Sequence, residues 1–116
     1  MRIDELLSTI DAHRIGGKLD SSPEITGAFT SDLLSDVVAN AKEGDLLITI
    51  QAHKNTVAVA TLVGIPAICI CSGREVGAEM QLAADTEGIV LCRSTKNQFE
   101  VSGPVFCLLK DGPPAR

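Results

Sequence analysis

The sequence predicts an α/β fold: a small three-layer domain with a parallel or mostly parallel sheet of about four or five strands flanked by helices. Three observations carry this expectation. Short apolar runs recur at Leu46-Leu47-Ile48-Thr49-Ile50, Ala67-Ile68-Cys69-Ile70-Cys71 and Ile89-Val90-Leu91-Cys92. They are continuous rather than alternating, which suits strands covered on both faces. Helical patterns lie between them, and strand–helix–strand order of this kind builds right-handed parallel crossovers.

Each element has its own signal. Ile3 to Ile10 reads as an amphipathic helix. His13 to Leu19 and Glu24 to Phe29 read as short strands around a turn at Asp20-Ser21-Ser22-Pro23, placed at a sheet edge or between subunits. Ser31 to Ala41 sets Leu33, Leu34, Val37, Val38 and Ala41 on one side, with Asp32, Asp36 and Asn40 on the other. Gly44-Asp45 marks a turn before the first long apolar run. Asn55 to Val63 is nearly all apolar, so a deeply buried helix is expected. Pro66 opens the next run and Ser72-Gly73 closes it. Glu75 to Glu87 carries Val76, Met80, Leu82, Ala83 and Ala84 at helical spacing, and Gly88 precedes the last run. Thr95 to Leu109 is interrupted by Gly103-Pro104, which predicts a short helix, a bend and a second turn. One domain is expected over residues 1–110, with residues 111–116 as a frayed tail because Gly112-Pro113-Pro114 cannot continue regular structure.

Composition narrows the function. The chain has 116 residues, 45% of them hydrophobic, with three Phe and no Trp or Tyr, so the core is aliphatic. A chain of this size buries only about two-thirds of its unfolded surface, which makes self-pairing a natural remedy. The net charge of −5 and the scattering of ten Lys and Arg argue against nucleic-acid binding. The shortage of aromatics also removes a stacking platform for single strands. No apolar run approaches the roughly 20 residues a membrane span needs. The start MRIDELLSTI has acidic residues where a secretory signal would have basic ones, so a cytoplasmic location is expected. The four cysteines, Cys69, Cys71, Cys92 and Cys107, are then expected to be reduced. Cys69, Cys71 and Cys92 read as small core hydrophobes rather than metal ligands, since a metal site wants a second pair at loop spacing.

Ligands of open α/β sheets gather beyond the carboxyl ends of the strands. That rule selects Thr26 and Ser31 after the early strand, then Gln51, His53 and Asn55, then Ser72 and Arg74, then Ser94 and Thr95. Helix N-termini point free N–H groups at the same rim, which favours an anion. Capping alone would also select Ser31, Asn55 and Thr95. His53 is the best single candidate for acid–base work or a ligand contact. Against chemistry stand the absences: no phosphate loop, no dinucleotide fingerprint, no nucleophile elbow and no zinc-protease motif. No catalytic residues, cofactor or metal are therefore assigned. An enzyme built on His53 with Arg74 would need both in one pocket.

The stretch Ile25-Thr26-Gly27-Ala28-Phe29-Thr30-Ser31-Asp32-Leu33-Leu34-Ser35-Asp36-Val37, followed by Gly44-Asp45-Leu46-Leu47-Ile48-Thr49-Ile50-Gln51-Ala52-His53, resembles the DRTGG domain family. Asn55-Thr56-Val57-Ala58-Val59-Ala60 and Ser72-Gly73-Arg74-Glu75 extend the likeness over nearly the whole chain. It is nearest to the stand-alone DRTGG proteins often encoded beside iron-only hydrogenase components, and more distantly similar to the N-terminal domain of HPr kinase/phosphorylase. The resemblance implies an α/β fold and a regulatory or assembly role. It does not carry kinase activity, because the phosphate loop is absent.

Three expectations follow. The first is a non-catalytic regulatory domain that binds a small anionic ligand, a nucleotide or phosphorylated metabolite, as a homodimer. The second is a protein–protein interaction module, pairing with itself or with a hydrogenase-associated protein and holding no small ligand. The third is the His53–Arg74 enzyme.

Overall fold

The computed structural model describes residues 1–17 and 22–111. In chain order its elements are α1 (Ile3–Leu7), β1 (Ala12–Gly16), β2 (Gly27–Thr30), α2 (Leu34–Asn40), β3 (Asp45–Thr49), α3 (Lys54–Val63), β4 (Ala67–Ile70), α4 (Ala78–Glu87), β5 (Val90–Ser94) and α5 (Gln98–Asp111). The strands form one five-stranded sheet in the order β1-β5-β4-β3-β2. β2, β3, β4 and β5 are parallel, and β1 runs antiparallel to β5. This is the three-layer α/β fold predicted, with one antiparallel strand at its edge.

The apolar runs explain the central strands. Every residue of β3 and β4 is buried. Alternate side chains serve opposite faces, so each strand feeds two cores. Leu46, Ile48, Ala67, Cys69, Val90 and Cys92 pack with Ile3 and Leu6 of α1 and Val101 and Val105 of α5. Leu47, Ile68, Ile70 and Leu91 pack with Val37 of α2, Val57 and Ala60 of α3, and Met80 and Ala84 of α4. The crossovers from β2 to β5 thus lay α2, α3 and α4 on one face in succession. α5 leaves β5 for the other face. The chain turns to opposite faces only after the neighbouring strands β4 and β5.

Several expectations are corrected here. The early strand spans Gly27–Thr30 rather than Glu24 to Phe29, so Thr26 precedes it. The expected strand from His13 is confined among described residues to Ala12–Gly16; Leu19, Asp20 and Ser21 lie outside the described residues. The last helix runs unbroken through Pro104. Val101 and Val105 are buried on either side of the proline, and this packing holds the helix together. The proline removes the donor that would reach the carbonyl of Glu100, an exposed residue whose oxygen water can satisfy. Asn97 starts this helix: its side-chain oxygen accepts from Glu100 N (2.9 Å), and the Glu100 carboxylate accepts from Asn97 N (3.1 Å). That reciprocal cap, an Asn-x-x-Glu pattern, was legible and outweighs Gly103-Pro104. Asp111 closes α5, and residues 112–116 of the expected tail lie outside the described residues.

The cysteines divide by burial. Cys69, Cys71 and Cys92 are buried on the face shared with α1 and α5, and Cys107 is exposed. A hydrogen bond with Cys71 pulls the Cys69 thiol down, but its hydrogen bond with Cys92 and its burial outweigh that and push it up. The Cys71 thiol is raised by its hydrogen bond to Cys69 and by burial. Thiolates are the reactive form, so the Cys69 and Cys71 thiols are inert near neutrality, and burial shields Cys92 from reagents. A thiol-selective disulfide reagent is expected to modify Cys107 rapidly in the native protein and the other three only on unfolding. Rapid reaction of all four would contradict this packing.

Candidate functional site

The carboxyl ends of the four parallel strands lie along one rim, and their loops are tied to one another by short hydrogen bonds. Two buried threonines shape the β3–α3 loop. Thr49 Oγ1 accepts from Gln51 N (3.1 Å), and Thr56 Oγ1 donates to Gln51 O (2.7 Å). Gln51 in turn donates from its side-chain amide to Asp32 O (2.7 Å), which joins this loop to the β2–α2 loop. Neither threonine was singled out from the sequence. A threonine inside an otherwise apolar strand or helix was the available signal, because a buried hydroxyl needs a partner.

His53 stands at the N-cap of α3. Its Nδ1 accepts from Asn55 N (3.0 Å), so the neutral ring carries its proton on Nε2. The capping expectation is thereby corrected: His53, not Asn55, caps α3. Ser31 accepts from Leu33 N (3.1 Å) in a serine turn ahead of α2, whose N-cap is Leu33. Asn97, not Thr95, caps α5.

The β4–α4 and β5–α5 loops are joined to each other. Ser72, in the left-handed region at φ 61°, donates from its backbone N to Lys96 O (2.7 Å), and Gly73 N donates to Ser94 O (2.9 Å). The Arg93 guanidinium donates to the carbonyls of Arg74 and Gly73. Ser94 is buried, donating to Ile10 O (2.6 Å) and accepting from Lys96 N (3.1 Å). Thr95 bonds Asp11 (3.3 Å). Ser94 is therefore committed to holding the rim, and the gap between β4 and β5, where the connections part to opposite faces, is closed by backbone bonds.

The open crevice lies one loop over, between the starts of α3 and α4. It holds about 260 Å³ and is lined by Ala52, His53 and Lys54 on one side and Gly77, Ala78, Glu79 and Met80 on the other. Lys54 Nζ and Glu79 Oε2 face each other across it at 3.7 Å, both well exposed. Gly77 is the N-cap of α4 and makes no side-chain cap, so the first-turn N–H groups of that helix stay available. A β-carbon on Gly77 would meet nothing within 4 Å, so the floor there is open. The uncapped start of α4 and one ammonium favour a compact anion.

The nine residues selected from sequence are thus partly assembled. Gln51, His53 and Asn55 sit at or beside the crevice lip. Ser72 and Arg74 lie on the adjoining loop, and Arg74 is exposed and outside the lining. Ser31 and Thr95 are elsewhere on the same rim. Thr26 is at the opposite end of the sheet, where its N donates to Gly44 O (3.0 Å), and it cannot share a site with the others. Lys54, Gly77 and Glu79 were not selected. Among the described residues, no group of three His, Cys, Asp or Glu could hold a metal ion. No helix among them is long and apolar enough to cross a membrane.

These features define a class: a mostly parallel α/β domain with a small open crevice at the carboxyl rim. No family model and no curated protein matches the chain. Part of the structure of the CBS and DRTGG domains of the regulatory region of Clostridium perfringens pyrophosphatase, solved in complex with the activator diadenosine tetraphosphate, shares its fold. The TM-score is 0.71 and the sequence identity 14%, over 89% of this chain and 45% of that one. This chain therefore corresponds to less than half of that regulatory region. At such identity the likeness is one of fold, and it bears out a DRTGG-like architecture.

Proposed function

We propose that this chain is a regulatory DRTGG-type domain that binds a small phosphate-bearing ligand at the crevice between α3 and α4, and that it works as a self-paired, non-catalytic unit. One observation carries the reading: the uncapped start of α4 and Lys54 converge on an open recess. The pyrophosphatase regulatory region, less than half of which matches this fold, was solved with a nucleotide activator, which supports the class of ligand. The crevice lining offers no nucleophile paired with a base, and His53 and Arg74 do not share it. A ligand phosphate would compete with Glu79 for Lys54.

A thermal-shift panel of nucleotides and phosphorylated metabolites tests this. At a concentration near 100 Kd a true ligand adds about 2.7 kcal/mol, a rise of roughly 10 °C for a domain of this size. Lys54→Ala is expected to abolish most of that rise, and Glu79→Gln to enlarge it. A panel in which no compound raises the melting temperature, or in which neither substitution alters the rise, defeats the reading.

A second reading, an interaction module without a small ligand, is favoured by a separate observation. Phe99 and Phe106 project from α5 at 86% and 66% exposure. In a chain with only three aromatic residues, two on one exposed helix flank are a marked departure from an aliphatic surface.

A further inference from the structure

We infer that the open β2 edge, together with the adjoining flank of α5, is the surface through which two copies of this chain pair. The inference rests on the self-pairing part of the reading above and names its interface.

Phe106 lines this edge from α5, in one stripe with the exposed Phe99, while Phe29 of β2 packs on the opposite face of the sheet. On α5, Phe99, Ser102, Phe106 and Lys110 follow a spacing of three and four residues, so they form one stripe. Ser102 fixes where that stripe faces: its hydroxyl is 2.7 Å from Thr30 Oγ1 at the end of β2. Between the stripe and the strand runs a groove of about 380 Å³, lined by Ala28 and Thr30 on the sheet side and by Phe106 and Leu109 on the helix side. Aromatic residues are enriched at protein interfaces and dominate their energetics.

β2 pairs with β3 alone, and no strand among the described residues covers its other side. Its outer edge presents unpaired backbone groups, and bare edges of this kind take up further strands. The usual protection is missing: the four residues are Gly27, Ala28, Phe29 and Thr30, without a lysine or proline.

A second copy fits because a two-fold operation satisfies all of these features together. Turned by 180°, the partner's β2 lies antiparallel to this one and joins the two sheets. Both α5 helices then fall on one face, each placing Phe106 toward the other's groove. The same turn brings the amino rim of one copy to the carboxyl rim of the other. Lys42 and Lys110 at the amino rim, with Glu43 beside them, would meet Asp36 and Glu100 at the carboxyl rim. A weak interface takes roughly 600 Å² per partner. That is about a tenth of the 6189 Å² this chain exposes.

Sedimentation over a wide concentration range tests the inference, with hydrogen exchange on the same samples. The native chain should dimerise, and exchange at 27–30 should slow as concentration rises. Phe106→Glu and Ala28→Lys, both at exposed positions, should each weaken the dimer about thirtyfold or more while leaving the circular dichroism unchanged. Leu82→Glu, on the exposed side of α4, should have no effect. A dimer that survives both edge substitutions with exchange at β2 unaltered overturns this interface but leaves self-pairing intact. A native chain that stays monomeric throughout overturns both, and leaves the edge to a foreign strand. Neither result touches the thermal-shift test of the crevice.

Discussion

Leu46→Ala is expected to destabilise the domain by about 3–5 kcal/mol, the upper part of the range for large-to-small changes in a core. Leu46 is fully buried on β3. Its neighbours in the ladder are Ala28 on β2 and Ala67 on β4. The substitution would set three alanines abreast across β2, β3 and β4, with Ala28 at the exposed edge of the row. None of them has a side chain able to swing into the space, so the cavity persists and its cost adds to the lost burial. Domains of this kind are stable by only about 5–15 kcal/mol, so the melting temperature should fall by roughly 10–20 °C. Val38→Ala, on the partly exposed side of α2, serves as the contrast and should cost little. Chemical denaturation measures both. A loss below about 1.5 kcal/mol for Leu46→Ala would mean that the α5 layer closes onto β3 more readily than its packing implies.

Gly17→Ala is expected to cost about 2–4 kcal/mol, from a left-handed backbone combined with overpacking. Gly17 has φ +81°, and a β-carbon there would stand 2.3 Å from the carbonyl oxygen of Ile89. The obstacle is backbone, so it cannot rotate away. Its amide also donates to Asp85 (2.6 Å), which ties the end of β1 to α4. Gly88→Ala isolates the conformational part of that cost. Gly88 ends α4 at φ +69° with nothing within 4 Å of the added carbon, so about 1 kcal/mol is expected. Equal losses at the two positions would contradict the close approach of Gly17 to Ile89.

The difference between the two glycines also marks what the sequence could disclose. Gly88 was readable as a helix stop, because a glycine after an amphipathic segment has a local meaning. Gly17 was not, since its constraint comes from a strand more than seventy residues away. The same division runs through the fold. The three apolar runs placed β3, β4 and β5 within a residue or two at each end, because burial on both faces leaves a local signature. The antiparallel β1 left none, for its direction is decided by pairing with β5. Successive crossovers along one face were equally silent, since every amphipathic helix looks alike whichever face it covers.

The candidate site was legible in the same partial way. The carboxyl-end rule gathered Gln51, His53 and Asn55, whose loop follows a well-marked strand. It misplaced Thr26, which precedes β2 and so lies at the amino end of that strand. It could not foresee that Arg93 and the backbone of Ser72 and Gly73 would close the β4–β5 gap, since those bonds are made across loops. Lys54 and Gly77 become meaningful only when α3 and α4 are set side by side.

The crevice is the point on which the functional account turns, and amide chemical-shift mapping of the full chain addresses it directly. Titrated with the compound that gives the largest thermal shift, the protein should show saturable changes centred on Ala52 to Asn55 and Gly77 to Met80, weakened in Lys54→Ala. Changes centred on β2 and α5, or on the closed Ser72–Lys96 junction, would place the ligand elsewhere and contradict the account.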